Sequence, residues 1–217
     1  MIEPLLLSLR LAAWTCVILL VIGAPLAWCL VRRRSAFSAV VETVLLMPLV
    51  LPPTVLGFYL LVLLGDGGLL SSTLGVRWAF TFEGILLGSV IFNLPFAMTA
   101  FSETFRAIPE DLLDTARTLG ATRVRLAREI VLPLSWPGLL AGTILIFAHT
   151  IGEFGVVLMI GGSIPGETRV LGIHIYELVQ ALRFDEAHRV AFVSAALAFF
   201  LLLGLRLTEN RWRSRTA

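Results

Sequence analysis

Lysine is absent from the 217-residue sequence, so all 17 basic residues are arginine. A phosphate-binding loop of the Gly-Lys-Ser/Thr type, a Schiff-base lysine and a Ser-Lys dyad all need a lysine. The absence excludes these three kinds of site. If ATP drives this protein, the ATP must be hydrolysed on another chain.

Charge of either sign is also scarce. Charged residues make up 15% of the chain, against roughly 25% in a typical soluble domain. Hydrophobic residues make up 58%, and the mean hydropathy is +0.92. A water-soluble fold of this length has too little interior for so many apolar side chains, so we expect an integral membrane protein.

Few residues suit a disulfide or a metal. The two cysteines, Cys16 and Cys29, are 13 positions apart in one apolar stretch, roughly 20 Å along a helix, which is too far for a bridge. The three histidines lack the spacing of metal ligands. We therefore predict no disulfide and no metal site on this chain.

The uncharged runs predict five transmembrane helices, because a spanning helix needs about 20 apolar residues. We expect an all-α integral membrane protein with one transmembrane domain over residues 1–217. The spans are predicted at about residues 8–31, 43–65, 84–106, 135–160 and 188–208, with a cytoplasmic loop at 107–134.

The arginines predict the orientation. Twelve lie in the first loop, the long loop or the C-terminal tail, and five lie on the opposite side. Basic residues concentrate on the cytoplasmic side of membrane proteins. We therefore expect the N-terminus outside and the C-terminus in the cytoplasm, which agrees with an odd number of spans.

Prolines interrupt two of the predicted spans. Pro48, Pro52 and Pro53 obstruct a regular helix in the second span, and Asn93 with Pro95 is a weaker signal in the third. Such breaks persist in lipid only where protein or a water-filled cavity covers them. Two interpretations stay open here, namely kinks in a packed bundle or helices that line a pathway.

The long loop has the pattern of a helix, a glycine turn and a second helix. Pro109 favours a helix start, and an apolar stripe from Leu112 to Leu119 ends at Gly120. Thr122 is expected to cap the second helix, which we predict ends before Pro133. The first helix needs a groove for its stripe, either on its own bundle or on a cytoplasmic partner.

Residues 114–121 and 130–134 resemble the EAA loop of permease subunits of ATP-binding-cassette importers. That loop has Glu-Ala-Ala, three residues, Gly and a later Leu-Pro, and the glycine and Leu-Pro stand at the family spacing here. Asp114 replaces the Glu, Thr115 replaces an Ala, and Ala127 stands where an aromatic residue is common. The resemblance implies a type I importer permease whose ATPase-coupling residues are Asp114, Ala116, Leu119, Gly120, Ala121, Leu132 and Pro133.

Residues 47–57, 151–155 and 161–169 resemble molybdate permeases, and sulfate permeases share the general pattern. The resemblance extends from about residue 5 to residue 207. It implies a permease homodimer in the bacterial cytoplasmic (inner) membrane, in contact with lipid and with no nucleic acid. It also implies two cytoplasmic subunits that hold ATP and Mg²⁺, and a periplasmic or extracytoplasmic molybdate-binding protein. No catalytic residue and no cofactor are then expected on this chain.

Glu153 is the only carboxylate deep in a long apolar run, which marks it as a functional candidate. A bare carboxylate repels an oxyanion, so we expect Glu153 to shape an outer gate by pairing with other groups rather than to bind the anion. Arg169 is expected either to attract the anion, to contact the binding protein or to be an ordinary surface residue. The pathway and gate candidates are Pro52, Pro53, Asn93, Gly152, Glu153, Phe154, Gly155 and Arg169.

Other functions stay open as alternatives. Tungstate and molybdate have nearly the same size and charge, so a tungstate permease is one alternative, and a sulfate or thiosulfate permease is another. A secondary transporter would show internal repeats and buried ionisable pairs. An intramembrane enzyme would need Ser89, His149 and Glu153 to act together, although they are widely spaced in the sequence.

Overall fold

The computed structural model describes the backbone of residues 2–33, 35–75 and 77–216, and the side chains of these residues except Leu74 and residues 208–216. Arg34 and the side chains of Arg211, Arg213 and Arg215, which contribute to the predicted orientation, lie outside the described part. No strand is found among the described residues. The expected all-α class is confirmed.

Ten helices make up the described chain, and two of them, α1 and α7, each contain one π turn. The helices are α1 Ile2–Arg32, α2 Ala36–Val50, α3 Pro53–Leu64, α4 Leu69–Leu74, α5 Phe82–Arg106, α6 Glu110–Thr118, α7 Arg123–Ile151, α8 Gly155–Gly161, α9 Leu171–Gln180 and α10 Phe184–Thr216.

Five helical stretches are long and apolar enough to cross a membrane, as the sequence predicts. They are Ile2–Arg32, Pro53–Thr73, Phe82–Arg106, Arg123–Ile151 and Phe184–Leu207.

The predicted span at 43–65 is two helices rather than one. Leu51 and Pro52 are extended, with ψ angles of 137° and 135°. Pro53 then starts α3 at the first helical position, where the missing proline donor is not needed. Pro48 lies inside α2 and does not end it. The break therefore comes from the Pro52-Pro53 pair and not from all three prolines.

Helix α5 lies at the centre of the bundle and packs against α1, α2, α7 and α8. Its side chains Ile85, Met98 and Phe101 are fully buried. A β-carbon at Gly142 of α7 would lie 2.9 Å from the Ala100 Cβ of α5, so the glycine permits the close crossing of these two helices. The weaker break expected at Asn93 and Pro95 is absent, because α5 runs through Pro95 without interruption.

Helix α7 differs from the prediction at both ends. It begins at Arg123 and continues through Pro133, so the predicted helix end before Pro133 is wrong. A π turn at Ala127–Val131 precedes the proline, and the wider backbone of such a turn accommodates the missing donor. At its other end α7 stops at Ile151, and a break at residues 152–154 divides the predicted span 135–160.

Candidate functional site

A buried polar cluster lies at the break between α7 and α8. The Glu153 side chain is inside the bundle, with only 4% of the residue exposed. Its Oε2 atom accepts hydrogen bonds from Ser89 Oγ at 2.6 Å and from Asn93 Nδ2 at 3.2 Å. Asn93 Oδ1 lies 2.8 Å from His149 Nδ1. Four side chains from α5, α7 and the break thus form one connected network.

The helical repeat of α5 explains half of this cluster. Ser89 and Asn93 are four residues apart and therefore share one face of the helix, and Asn93 Nδ2 also donates to Ser89 O at 2.9 Å. The His149 ring stacks beside Phe96 and Phe92, with centroid distances of 4.3 and 5.5 Å. Because these surroundings are apolar, little else is available to replace the hydrogen bonds within the cluster.

One oxygen of the carboxylate is unpaired. Glu153 Oε1 is buried and has no hydrogen-bond partner among the described residues. A buried polar atom without a partner costs free energy, of the order of 1–3 kcal/mol. The unpaired oxygen therefore lowers the stability of the cluster relative to one in which both oxygens accept hydrogen bonds.

The two broken helices meet beside Glu153. A β-carbon at Gly155 would lie 2.9 Å from Pro53 Cβ, so the start of α8 touches the start of α3. Helix α9 covers the same break, because a β-carbon at Gly172 would lie 2.9 Å from Glu153 O, and the Phe154 and Tyr176 rings are 5.0 Å apart. Protein thus covers the Glu153 side of the break, which favours the persistence of an interrupted helix in lipid.

The structure brings together most of the predicted pathway candidates. Asn93 and Glu153 are hydrogen-bonded, while Pro53 and Gly155 are in contact. The remaining candidates at this break lie at helix ends, with Phe154 half-buried and with Pro52 and Gly152 exposed.

Arg169 belongs to a different group of side chains. Its Nε atom lies 3.0 Å from Glu177 Oε2 and 3.0 Å from Ser163 Oγ. The carboxylate of Glu177 offsets the charge of the guanidinium, which weakens the attraction that Arg169 has for an anion.

Helix α6 and the turn after it form the second candidate site. Leu113 is buried and Ala116 packs against the bundle, so one edge of the apolar stripe rests on the chain itself. Leu112 and Leu119 are 41% and 83% exposed. One side of the expected apolar stripe, at Leu113 and Ala116, therefore packs on the bundle, and the other side, at Leu112 and Leu119, is exposed.

The turn after α6 requires glycine. Gly120 has a φ of +84°, a left-handed conformation that side chains disfavour. The Gly120 N–H donates to Arg117 O at 3.0 Å, and the Ala121 N–H donates to Ala116 O at 2.9 Å. Thr122 then caps α7 by accepting from the Arg125 N–H. The predicted glycine stop and threonine cap are both present.

Three further coupling candidates lie on exposed surface. Asp114 pairs with Arg117 at 2.6 Å on the outer face of α6. Leu132 and Pro133 are exposed on α7, directly after its π turn.

Sequence reasoning missed a structural role for Arg32. Its Nη2 atom donates to Phe105 O at 3.2 Å and to Ile108 O at 3.3 Å, at the C-terminal end of α5. Its guanidinium lies 4.6 Å from the centre of the Trp28 ring. Arg32 thus ties the end of α1 to the segment that leads into α6. The sequence offered only its position directly after a span, which indicated orientation alone.

Replacing Arg32 with glutamine is expected to lower the stability of the protein by about 1.5–3 kcal/mol, the usual contribution of hydrogen bonds made by a charged group. The shorter amide cannot span both carbonyls. The thermal unfolding midpoint of the purified protein in detergent measures the effect. Arg33→Gln is the matched control, because Arg33 is adjacent and exposed. Equal midpoints for the two variants would contradict the role of Arg32.

The chain is a helical bundle with broken helices beside a buried polar cluster, and α6 with its glycine turn lies partly exposed on one face. Broken helices around a polar site are typical of membrane transporters. A family model described as a binding-protein-dependent transport system inner membrane component matches residues 19–208. The chain belongs to this family.

The chain is similar to curated molybdenum permeases and, at lower identity, to a sulfate permease. A molybdenum transport system permease protein ModB of Azotobacter vinelandii is 45% identical over 203 residues, which cover 92% of this chain and 90% of the relative. The ModB protein of Escherichia coli K12 is 37% identical, with coverages of 93% and 90%. The sulfate transport system permease protein CysT of Salmonella typhimurium is 29% identical, with coverages of 90% and 72%.

A solved structure shares the fold. A bacterial alginate ABC transporter, in complex with an alginate pentasaccharide-bound periplasmic protein, contains a chain that matches with a TM-score of 0.77 at 19% identity. The match covers 97% of the present chain and 78% of that chain.

Proposed function

We propose that this chain is the membrane permease of an ATP-driven importer that carries molybdate across the cytoplasmic membrane. The permease acts as a homodimer with two ATP-binding subunits and an extracytoplasmic binding protein. The observation that carries the proposal is the 45% identity to a molybdenum transport permease over 92% of the chain. ATP and Mg²⁺ bind to the partner subunits, because this chain has no lysine for a standard phosphate-binding loop.

The loop containing α6 is the contact for the ATP-binding subunit. Leu112 and Leu119 on the α6 stripe are 41% and 83% exposed, and large apolar side chains gathered on a surface favour a protein partner. Leu113 holds the same helix to the bundle, so a displacement of the partner reaches the membrane helices. Asp114, Ala116, Leu119, Gly120, Ala121, Leu132 and Pro133 make up the proposed coupling surface.

The orientation follows from the arginines. With the N-terminus outside and the C-terminus in the cytoplasm, the turn after α1, the α6 loop and the end of α10 all face the cytoplasm, where basic residues are favoured. The break at residues 152–154 then lies toward the outer side, because α7 ends at Ile151 about 21 Å along the helix from Pro137.

Glu153 and its partners hold an outer gate in the transport pathway. The cluster fixes the broken ends of α7 and α8 against α5, and Pro52, Pro53, Gly152, Phe154 and Gly155 supply the irregular backbone there. A gate of this kind opens a path and leaves anion affinity to the binding protein. Arg169, already paired with Glu177, contributes to the outer surface.

Uptake by the reconstituted complex tests the proposal. The permease is reconstituted in vesicles with its ATP-binding subunit and an extracytoplasmic molybdate-binding protein, and uptake of labelled molybdate is measured with and without ATP. We expect ATP-dependent uptake that excess tungstate inhibits and excess sulfate does not. Uptake of sulfate in preference to molybdate would favour the function of the 29% identical sulfate relative instead.

A further inference from the structure

A groove of about 690 Å³ lies between α1 and α7. Both of its walls contain a π turn: Leu20 and Val21 come from the turn at Leu19–Gly23, and Ala127 and Val131 come from the turn at Ala127–Val131. A π turn widens a helix locally, and such turns frequently occur at functional sites. Because a π turn lies in each wall, we infer that this groove is a binding site.

The lining of the groove is almost entirely apolar, apart from one end. Trp28 and Trp136 line it, and tryptophan favours the depth at which the bilayer meets water. Arg123 and Arg128 also line it, and both are exposed. Neither arginine forms an ion pair with another described residue, whereas Arg125 on the same helix pairs with Glu129 at 2.9 Å.

We propose that this groove binds an anionic phospholipid, with an acyl chain along the apolar walls and the phosphate at Arg123 and Arg128. A guanidinium matches a phosphate through paired hydrogen bonds. Basic pockets between membrane helices on the cytoplasmic side suit anionic headgroups. The inference uses the orientation proposed above, which places the two arginines on the cytoplasmic side.

The two arginines lie next to the loop that contains α6, so a lipid bound to them affects that loop. Arg123 begins α7, three residues after the Gly120 turn. A lipid held there fixes the base of α7 to the membrane beside the loop that contains α6. The loop then moves relative to a point that is fixed in the bilayer as well as relative to the helical bundle.

Native mass spectrometry of the full-length permease in detergent tests the inference. The protein is titrated with phosphatidylglycerol and, separately, with the zwitterionic lipid phosphatidylcholine. We expect tighter binding of phosphatidylglycerol. Each arginine near a headgroup contributes about 1 kcal/mol, so the double variant Arg123→Gln/Arg128→Gln should weaken that binding about 30-fold. Arg125→Gln is the matched control and should leave it unchanged.

A second variant tests the groove itself. Ala127→Phe fills the space between the π turns and is expected to reduce binding of both lipids, while the arginines remain. Equal affinity for the two lipids, equal losses in the Arg125 control and the double variant, or unchanged binding by Ala127→Phe would each overturn the inference.

The same titration on the complex with its ATP-binding subunits identifies a competing occupant. If phosphatidylglycerol binds the isolated permease but not the complex, the groove is covered by the partner and the inference is wrong. Lipid binding is measured without any transported anion. The result therefore tests the lipid site even if the chain does not transport molybdate.

Discussion

Replacing Gly120 with valine is expected to lower uptake at least about tenfold while ATP hydrolysis continues. Gly120 has a φ of +84°, and a residue with a β-carbon in that region costs roughly 1–2 kcal/mol. Apart from its two neighbours in the chain, no described residue lies within 4 Å of the position its β-carbon would take. The permease therefore has room for the new side chain, and the obstruction is expected to fall on the partner proposed to contact this turn.

Gly75 offers a matched control for this experiment. Its φ is +67°, and a β-carbon there also meets nothing within 4 Å. Gly75→Val therefore imposes a similar backbone strain outside the α6 loop and should leave uptake close to normal. Uptake and ATP hydrolysis are measured on the same vesicles, so that a loss of coupling is distinguished from a loss of protein.

Two results would contradict the coupling role of Gly120. One is normal uptake by Gly120→Val at wild-type protein levels. The other is an equal defect in Gly75→Val, which would attribute the loss to strain rather than to contact with a partner.

The sequence predicted the helices well where a single local rule applied. Gly120, Thr122 and the α6 stripe follow from turn and cap chemistry over a few residues, and the structure has the corresponding turn, cap and helix. The five apolar stretches follow from length and composition alone. These features need no knowledge of which helices become neighbours.

The sequence failed where two local rules competed. Proline was expected to obstruct a regular helix at Pro48, to cause a weaker break at Pro95 and to end a helix before Pro133. Helices α2, α5 and α7 nevertheless continue through these residues. Inside a membrane bundle, packing and π turns offset one missing donor. At the adjacent pair Pro52-Pro53, the residue that Pro53 restricts to extended backbone is itself a proline without a donor, and there the helix breaks.

The polar cluster was beyond sequence reasoning for a different reason. Ser89 and His149 were known as widely spaced polar residues, and only the crossing of α5 with α7 brings them to Glu153 and Asn93. A distance of 64 positions separates Ser89 from Glu153. Arg32 was missed in the same way, because its two carbonyl partners lie at the end of α5 and in the segment that follows it.

Glu153→Ala is expected to be the most damaging substitution in the membrane part of the chain. It leaves the Ser89 hydroxyl and the Asn93 amide without their shared acceptor. An unsatisfied buried polar group costs about 1–3 kcal/mol, so removing this acceptor should lower stability by about 3 kcal/mol. We expect little assembled complex after purification and no measurable uptake.

Glu153→Gln separates the shape of the cluster from its charge. The glutamine oxygen can accept both hydrogen bonds, and the new amide takes the place of Oε1, which has no partner among the described residues. We therefore expect assembly close to wild type, because the hydrogen bonds are kept. We expect reduced uptake, because the loss of the charge changes the equilibrium between the closed and open forms of the proposed gate. Elution by size and uptake of labelled anion measure the two properties separately.

The exposed carboxylate Glu167, on the segment between α8 and α9, provides the control for charge alone. Glu167→Gln removes one negative charge without touching the cluster and should change neither assembly nor uptake. If Glu153→Gln behaves like Glu167→Gln in both measurements, then the charge of the buried carboxylate has no role in transport. If Glu153→Ala also assembles and transports normally, the hydrogen bonds that join α5 to the broken helix are dispensable, and Glu153 is not part of a gate.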